Sequence, residues 1–443
     1  MSAKIFFLSL GCDKNLSDSE HMLKLLKDAE FDFTDDESEA DAAIVNSCAF
    51  IGDAKEESIS EILRLAAFKE SGKLKALIVA GCLSERYQEE LLTELPEVDA
   101  AVGISAWDHI AEVVSDALAG KKASCFLQKE RLPESGGRVL TTGGHYGYLK
   151  IAEGCNKHCS YCVIPKIRGR YRSVPMEKLL REAAEMASSG VRELILVAQE
   201  TTVYGMDLYG KKMFPELLRK LAAIEDLHWI RLLYCYPEEI TDELIETIRT
   251  EEKVLPYLDL PIQHVSDRIL KSMHRMTTGA GIEKMIRKLR KAIPGISLRT
   301  TLIAGYPGET EEEFEELLAF VNRVKFDRLG AFSYSREENT EAYHLHPQVP
   351  RHTKNRRKNA IMKAEREICR NRTKALVGKT MEVFVEGRVT SEDGVYVGRT
   401  YRDAPDVDGL VFFRSDADLM SGQFVRVRMT GARDYDLIGE LKE

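Results

Sequence analysis

Three apolar runs near the start of the chain end in the same way, and they constrain its fold more than any other feature. They read IFFLSLGC, AAIVNSC and ALIVAGC and terminate at Cys12, Cys48 and Cys82. Each run is short and apolar enough to be a strand covered on both faces. Each leads into a polar turn and an amphipathic segment, as at Glu56 to Phe68 and Glu85 to Leu95. Strand, loop and helix in repetition predict a parallel sheet with right-handed crossovers. The carboxyl ends of such strands share one edge, where ligands collect. Cysteines 36 and 34 residues apart can therefore meet in space. One strand-end cysteine reads as a small buried hydrophobe; three in succession read as a ligand set.

The alternation returns from Tyr148 to about Leu345. Expected strands are YLKIAEG, ELILVAQE, WIRLLYCY, YLDLPIQH, SLRTTLIAGYP and RLGAFSYS, separated by helices such as Met176 to Ser189 and Glu311 to Val324. About six βα units without a dinucleotide fingerprint predict a full or partial TIM-like barrel, with functional residues at the strands' carboxyl ends. Residues 121–140 hold Pro133, Gly136 and Gly137 and read as a linker. Residues 351–374 carry ten Lys/Arg against two Glu and read as a solvated basic helix. Beyond Val377 the runs MEVFVEGRV, GVYVGRT, GLVFF, QFVRVRM and DLIGEL predict a small antiparallel barrel. The expected organisation is thus α/β: an N-terminal parallel-sheet domain at 1–120, a linker, a barrel core at 141–374, and a β-barrel at 375–443.

A chain of 443 residues is long enough for two to four domains. Its net charge of −9 argues against a protein whose main work is gripping nucleic-acid phosphates. The opening MSAKIFFLSLGCDKN lacks the apolar length of a secretory signal or a membrane span, which makes the cytoplasm the expected location. Nine cysteines there read as metal ligands or buried thiols rather than disulfides. Cys125, Cys235 and Cys369 fit no ligand pattern and are expected to be structural.

The segment EGCNKHCSYCVIPKIRG holds C-x3-C-x2-C directly after an expected strand. Thiolates at this spacing can wrap one compact metal site. A four-iron cluster normally takes four cysteines, so Cys155, Cys159 and Cys162 would leave one iron open to a substrate. The competing reading is structural zinc with His158 as fourth ligand. His158 directly precedes Cys159, so the two would reach one tetrahedral ion only with difficulty, and His158 reads as a loop residue.

This spacing at the first strand of a barrel resembles the radical S-adenosylmethionine enzymes. The resemblance implies that the open iron chelates the methionine moiety and that reductive cleavage releases a 5′-deoxyadenosyl radical, chemistry suited to unactivated C–H bonds. It places Tyr161 near adenine. It gives polar contacts to Gln199 and Glu200 and to Gln263 and His264, at the ends of two expected strands, and to Arg299 on a third. It also places the GYPGE turn beside the cofactor through Gly305 and Gly308.

With the strand-end cysteines included, nearly the whole chain resembles the methylthiotransferases: a three-cysteine domain, a radical barrel and a TRAM β-barrel. Two branches are known, one acting on a tRNA adenosine and one on an aspartate of ribosomal protein S-twelve. SLGCDKNLSDSE at 9–20, LDLPIQHVSDRILKSMHR at 258–275, FSYSREENTEAY at 332–343 and above all GRTYRDAPDVDG at 398–409 resemble the second. Asp13 departs from the proline common there. Residues 377–443 carry 9 Lys/Arg and 13 Asp/Glu, a net of −4, which suits a basic ribosomal protein better than RNA.

The resemblance implies two 4Fe–4S clusters, the second on Cys12, Cys48 and Cys82, both facing one cavity. One S-adenosylmethionine would methylate a sulfur on the second cluster and another would be cleaved at the first, giving β-methylthioaspartate. An electron donor such as flavodoxin or ferredoxin is expected, with a monomeric enzyme and no membrane. RNA contact would be secondary. The rivals are a tRNA methylthiotransferase and a non-catalytic iron–sulfur protein that binds the ribosome or carries electrons.

Overall fold

The computed structural model describes residues 2–70 and 72–442, and the chain divides into two compact units. The first comprises the chain up to Thr141 together with Lys150–Val174 and Ser335–Tyr343. The second comprises Thr142–Leu149, Pro175–Tyr334 and the chain from His344 onward.

The first unit is built on six strands: β1 (Lys4–Ser9), β2 (Asp32–Phe33), β3 (Ala42–Ser47), β4 (Ala76–Gly81), β5 (Ala100–Val102) and β6 (Ala123–Cys125). They pair parallel in the order β2-β1-β3-β4-β5-β6. Every residue of β3 and β4 is buried, which is why their sequences run apolar without alternation until Asn46 and Ser47 end β3. One face packs Ala43, Val45, Leu77 and Val79 against Ile62 and Leu65 of helix Gly52–Glu70. The other packs Ile44 and Ile78 against Met22 and Leu26 of helix Asp13–Asp28 and Val113 of helix Ile110–Leu118. Strand β6 lies within the stretch that reads as a linker, and its pairing with β5 draws that stretch into the sheet. The helix expected over Glu85 to Leu95 is two short helices, Cys82–Tyr87 and Glu89–Glu94, broken where Gln88 takes φ +47°. Also in this unit, a short antiparallel ladder of β8 (Ala152–Glu153) with β9 (Arg172–Ser173) closes the base of the C-x3-C-x2-C loop.

In the second unit, β7 (Tyr146–Lys150), β10 (Glu193–Val197), β11 (Trp229–Leu232), β12 (Val254–Gln263), β13 (Ser297–Ala304) and β14 (Arg328–Ser333) form one sheet in that order. From β10 to β14 the neighbours pair parallel. The sheet is open, so the architecture is a partial TIM-like barrel. Its last helix, Glu311–Val324, starts at a capping box of Thr310 and Glu313.

The C-terminal strands β15 (Thr380–Arg388), β16 (Val395–Arg399), β17 (Val411–Arg414), β18 (Phe424–Arg433) and β19 (Asp436–Leu441) close into a barrel. Its ladders are antiparallel except β17 with β19, which is parallel. Buried ion pairs join it to the open sheet. Glu193 of β10 sits between Arg231 of β11 and Arg399 of β16, at 2.6 Å from each. The motif GRTYRDAPDVDG supplies Arg399 and also Asp403, which pairs with Arg328, and Asp408, which accepts from Tyr257 Oη at 2.8 Å. Asp403 and Asp408 face inward, so the acidic count of this region overstates its surface charge.

Helix Arg351–Lys374 corrects its sequence reading as a solvated helix. It buries Arg357, Ile361, Glu365, Ile368 and Cys369. Arg356 and Arg357 pair with Glu311, Arg370 with Asp434, and Arg372 with Asp327. Four of its ten cations thus answer carboxylates of the same unit, while Arg351, Lys363, Arg366 and Lys374 are exposed.

Candidate active site

The first unit brings Cys12, Cys48 and Cys82 together at the carboxyl ends of the adjacent strands β1, β3 and β4. Cys12 caps helix Asp13–Asp28, Cys48 follows β3 directly, and Cys82 opens helix Cys82–Tyr87. Two glycines make the convergence possible. Gly11 has φ +92°, and a Cβ there would stand 2.8 Å from Cys48 Cβ. Gly81 has φ +90° and ψ −150°, and a Cβ there would collide with Asn46 Oδ1 and reach 2.6 Å from the Ser47 carbonyl oxygen. Only glycine occupies such a conformation without strain. Asn15 ties the strand ends, its Nδ2 donating to the Leu10 carbonyl at 3.1 Å and the Ser47 carbonyl at 2.9 Å. Ser58 Oγ accepts from Cys48 N at 3.0 Å and donates to its carbonyl at 2.9 Å.

The electrostatics show that the three sulfurs sense one another. Burial pushes the Cys82 thiol up to about 12, with Arg168 opposing and Cys48 and Cys12 reinforcing. Burial likewise raises Cys48, helped by Cys12. Thiols held near one another without water gain most from a metal that takes them as thiolates. Among the described residues no three His, Cys, Asp or Glu side chains converge tightly enough for a single ion. In a cubane each thiolate binds a different iron, so its ligands stand on a wider frame.

The second cysteine set lies in the loop above β8. Cys155 and Cys159 are buried and Cys162 half-buried. Cys155 N donates to the Gly169 carbonyl at 3.2 Å, Cys162 N to the Cys159 carbonyl at 2.9 Å, and Lys157 N to Cys155 Sγ at 3.4 Å. Tyr161 lies half-buried in the same loop. A cavity of about 460 Å³ is lined by Cys155, Asn156, His158, Pro165, Gly169 and Arg170. His158 is exposed on its rim.

A buried charge cluster that sequence reasoning missed links the two cysteine sets. The Arg168 side chain is 1% exposed. Its Nη1 donates to both Glu153 carboxylate oxygens at 2.9 Å, and its Nη2 to Asn15 Oδ1 at 2.6 Å and Cys82 Sγ at 3.5 Å. Lys150 pairs with Asp18 and, at 2.8 Å, with Glu153. Although burial works the other way, Arg168 and Lys150 hold the Glu153 carboxyl well below its usual range. Asn15, Asp18, Glu153 and Arg168 fall inside the motifs SLGCDKNLSDSE and EGCNKHCSYCVIPKIRG, so the signal was polar residues flanking cysteines.

In the second unit the other expected contacts sit at strand ends, except Arg299, the third residue of β13. Gln199 and Glu200 follow β10, and Glu200 is buried, accepting from Thr202 Oγ1 at 3.0 Å. Gln263 ends β12 with φ +69°, and its Oε1 is buried without a hydrogen-bond partner among the described residues. His264 Nδ1 accepts from Ser266 N at 3.0 Å, which places the proton of the neutral ring on Nε2, 3.8 Å from Glu309 Oε2. Burial pushes His264 down to about 4. Glu309 Oε2 accepts from Gly305 N at 2.6 Å and Tyr306 N at 3.2 Å, which fixes the GYPGE turn, where Gly305 and Gly308 both take φ +75°. Arg299 is engaged with Asp259 at 2.9 Å and Asp408 at 3.5 Å, so its charge is already matched within the fold. Cys235 and Cys369 are buried in hydrogen-bonded settings, and Cys125 lies half-buried on β6.

Three family models match the chain in succession. The uncharacterized protein family UPF0004 matches residues 4–103, the Radical SAM superfamily 149–321 and the TRAM domain 377–441. The ribosomal protein uS12 methylthiotransferase RimO of Lachnoclostridium phytofermentans is 55% identical over 437 residues, covering 98% of this chain and 99% of that protein. The protein of the same name from Acetivibrio thermocellus is 50% identical over 450 residues, covering 100% and 99%. A solved structure of the radical S-adenosylmethionine methyltransferase TsrM from Kitasatospora setae, with cobalamin and a 4Fe–4S cluster bound, shares the fold. Its TM-score is 0.57 at 14% identity, over 77% of this chain and 74% of that one. With half or more of its residues identical to these relatives from end to end, the chain belongs to the ribosomal protein uS12 methylthiotransferase RimO family.

Proposed function

We propose that this protein methylthiolates the β-carbon of an aspartate in ribosomal protein uS12, as a radical S-adenosylmethionine enzyme that uses an iron–sulfur cluster. The observation that carries the reading is the placing of two three-cysteine sets in one compact unit, linked by the buried side chain of Arg168. We assign Cys155, Cys159 and Cys162 to the cluster that receives S-adenosylmethionine, and Cys12, Cys48 and Cys82 to a second 4Fe–4S cluster. The donor chemistry fits. Each set offers three sulfurs in a largely dry setting and leaves a fourth position free for a ligand that is not protein.

When bound, the clusters and S-adenosylmethionine supply one-electron cleavage and a methylated sulfur. The chain's own residues do the rest. Gly11 and Gly81 let the strand ends close on one another, and Asn15 and Ser58 fix the backbone around Cys12, Cys48 and Cys82. Gln263 Oε1, buried and unsatisfied, is an acceptor suited to an ammonium group. Gln199, Glu200, Tyr161 and the Gly305–Gly308 turn are proposed as further contacts to S-adenosylmethionine. Arg299, matched by Asp259 and Asp408, is better suited to hold strands in place. The functional division at 1–120, 141–374 and 375–443 follows the same assignment.

No described helix is long and apolar enough to cross a membrane. A chain acting on a ribosomal protein belongs in the cytoplasm, with a flavodoxin or ferredoxin as electron donor, and we propose a monomer. The test is anaerobic incubation of reconstituted enzyme with dithionite, S-adenosylmethionine and uS12, read by mass spectrometry. The expected products are 5′-deoxyadenosine and a methylthiolated aspartate. Methylthioadenosine in tRNA with unmodified uS12 would instead establish the tRNA activity.

A further inference from the structure

We infer that Arg168 is a positioning residue that sets the reduction potential of the cluster on Cys12, Cys48 and Cys82, through its N–H on the Cys82 sulfur. The inference rests on the reading that these three cysteines hold a cluster. Its physical basis is the geometry of the guanidinium. One branch, Nη1, is occupied by both oxygens of Glu153 at 2.9 Å. The other, Nη2, reaches Asn15 Oδ1 at 2.6 Å and Cys82 Sγ at 3.5 Å. Asn15 has no freedom to turn away, because its Nδ2 is committed to the carbonyls of Leu10 and Ser47. Those carbonyls belong to the strand ends that carry Cys12 and Cys48. The chain from backbone to Asn15 to Arg168 to Cys82 therefore holds one N–H at the sulfur with little slack.

Charge counting gives the same direction. Lys150 and Arg168 balance Asp18 and Glu153 before any thiolate is considered. Binding a cluster turns Cys82 into a thiolate, and Nη2 is then the positive group that touches it. A guanidinium with a hydrogen bond to a cluster sulfur stabilises the reduced, more negative state, which raises the potential. Arg168 also ends helix Ile164–Arg168, which starts two residues after Cys162, and the Gly169 carbonyl accepts from Cys155 N. Its backbone thus belongs to one cysteine loop while its side chain serves the other set.

The test uses the full chain with Cys155, Cys159 and Cys162 replaced by Ala, so that only the second cluster remains. Iron should stay at about four per chain. In an EPR-monitored redox titration, Arg168→Gln should move the midpoint to a more negative value and Arg168→Lys should fall between. In the mirrored protein lacking Cys12, Cys48 and Cys82, Arg168→Gln should move the midpoint less. An unchanged midpoint in the first protein, or equal shifts in both, overturns the inference while leaving the cluster assignment intact. Absence of iron in the first protein overturns the assignment and the inference together. Should Arg168→Gln fail to fold, the unsubstituted residue can be read directly. Arginine enriched in 15N should give a nitrogen coupling to the reduced second cluster in pulsed EPR, and absence of that coupling overturns the inference.

Discussion

Replacing Gly81 by Ala tests whether strand-end geometry, rather than the cysteines alone, builds the Cys12–Cys48–Cys82 site. Gly81 combines φ +90° with ψ −150°, a region costing a residue with a Cβ on the order of 1–3 kcal/mol. The added methyl would meet Asn46 Oδ1 and the Ser47 backbone, and overpacking of that kind costs about 1–3 kcal/mol more. The sum, about 4 kcal/mol, is a large fraction of the roughly 5–15 kcal/mol that holds a domain together. Gly120→Ala is the control: its φ is +77° but a Cβ there meets nothing within 4 Å, so about 1 kcal/mol of backbone strain is all that applies. The assay is urea unfolding followed by Trp107, which lies in the first unit, in a Trp229→Phe background that silences the other tryptophan. Gly81→Ala should lower the midpoint far more than Gly120→Ala and should halve the iron taken up on reconstitution. Equal midpoints for the two variants would refute the argument that a cramped glycine sets the site.

Further outcomes follow from the same structure. The Cys12→Ala, Cys48→Ala, Cys82→Ala protein should keep about four of about eight irons and still release 5′-deoxyadenosine; loss of both would tie the two sites into one. His264 titrates near 4 in the fold against about 6.5 unfolded, so its contribution is present above pH 6.5 and lost as pH falls toward 4. Wild-type protein should lose up to about 3 kcal/mol across that window, and His264→Gln should flatten the slope in denaturant titrations at stepped pH. Glu193→Gln leaves Arg231 buried without its carboxylate, while Arg399 keeps Glu386 at 2.5 Å, and should cost about 3 kcal/mol. Limited proteolysis should then release the C-terminal barrel sooner than in the wild type; unchanged protection would show that the pairs do not hold it.

What the sequence made legible was whatever depends on periodicity and local spacing. The stretches AAIV and ALIVAG do not alternate because helices cover both sides of β3 and β4, and the cysteine after each run marks a strand end in the structure. Pairings across long separations left no local trace. Arg168 and Asn15 stand 153 residues apart, and nothing in KIRG announces a partner in DKNL. The same blindness hid the buried face of Arg351–Lys374, because a cation looks alike in sequence whether it faces water or, like the buried Arg357, pairs with Glu311. It also counted Asp403 and Asp408 toward an acidic surface, although burial beside Arg328 and Arg299 spends those charges inside the second unit. A buried ionised carboxylate needs a partner brought to it, here most often a cation. Buried charges therefore carry topological information that apolar residues do not: Arg168 reaches Glu153 beside one cysteine set and Asn15 and Cys82 in the other.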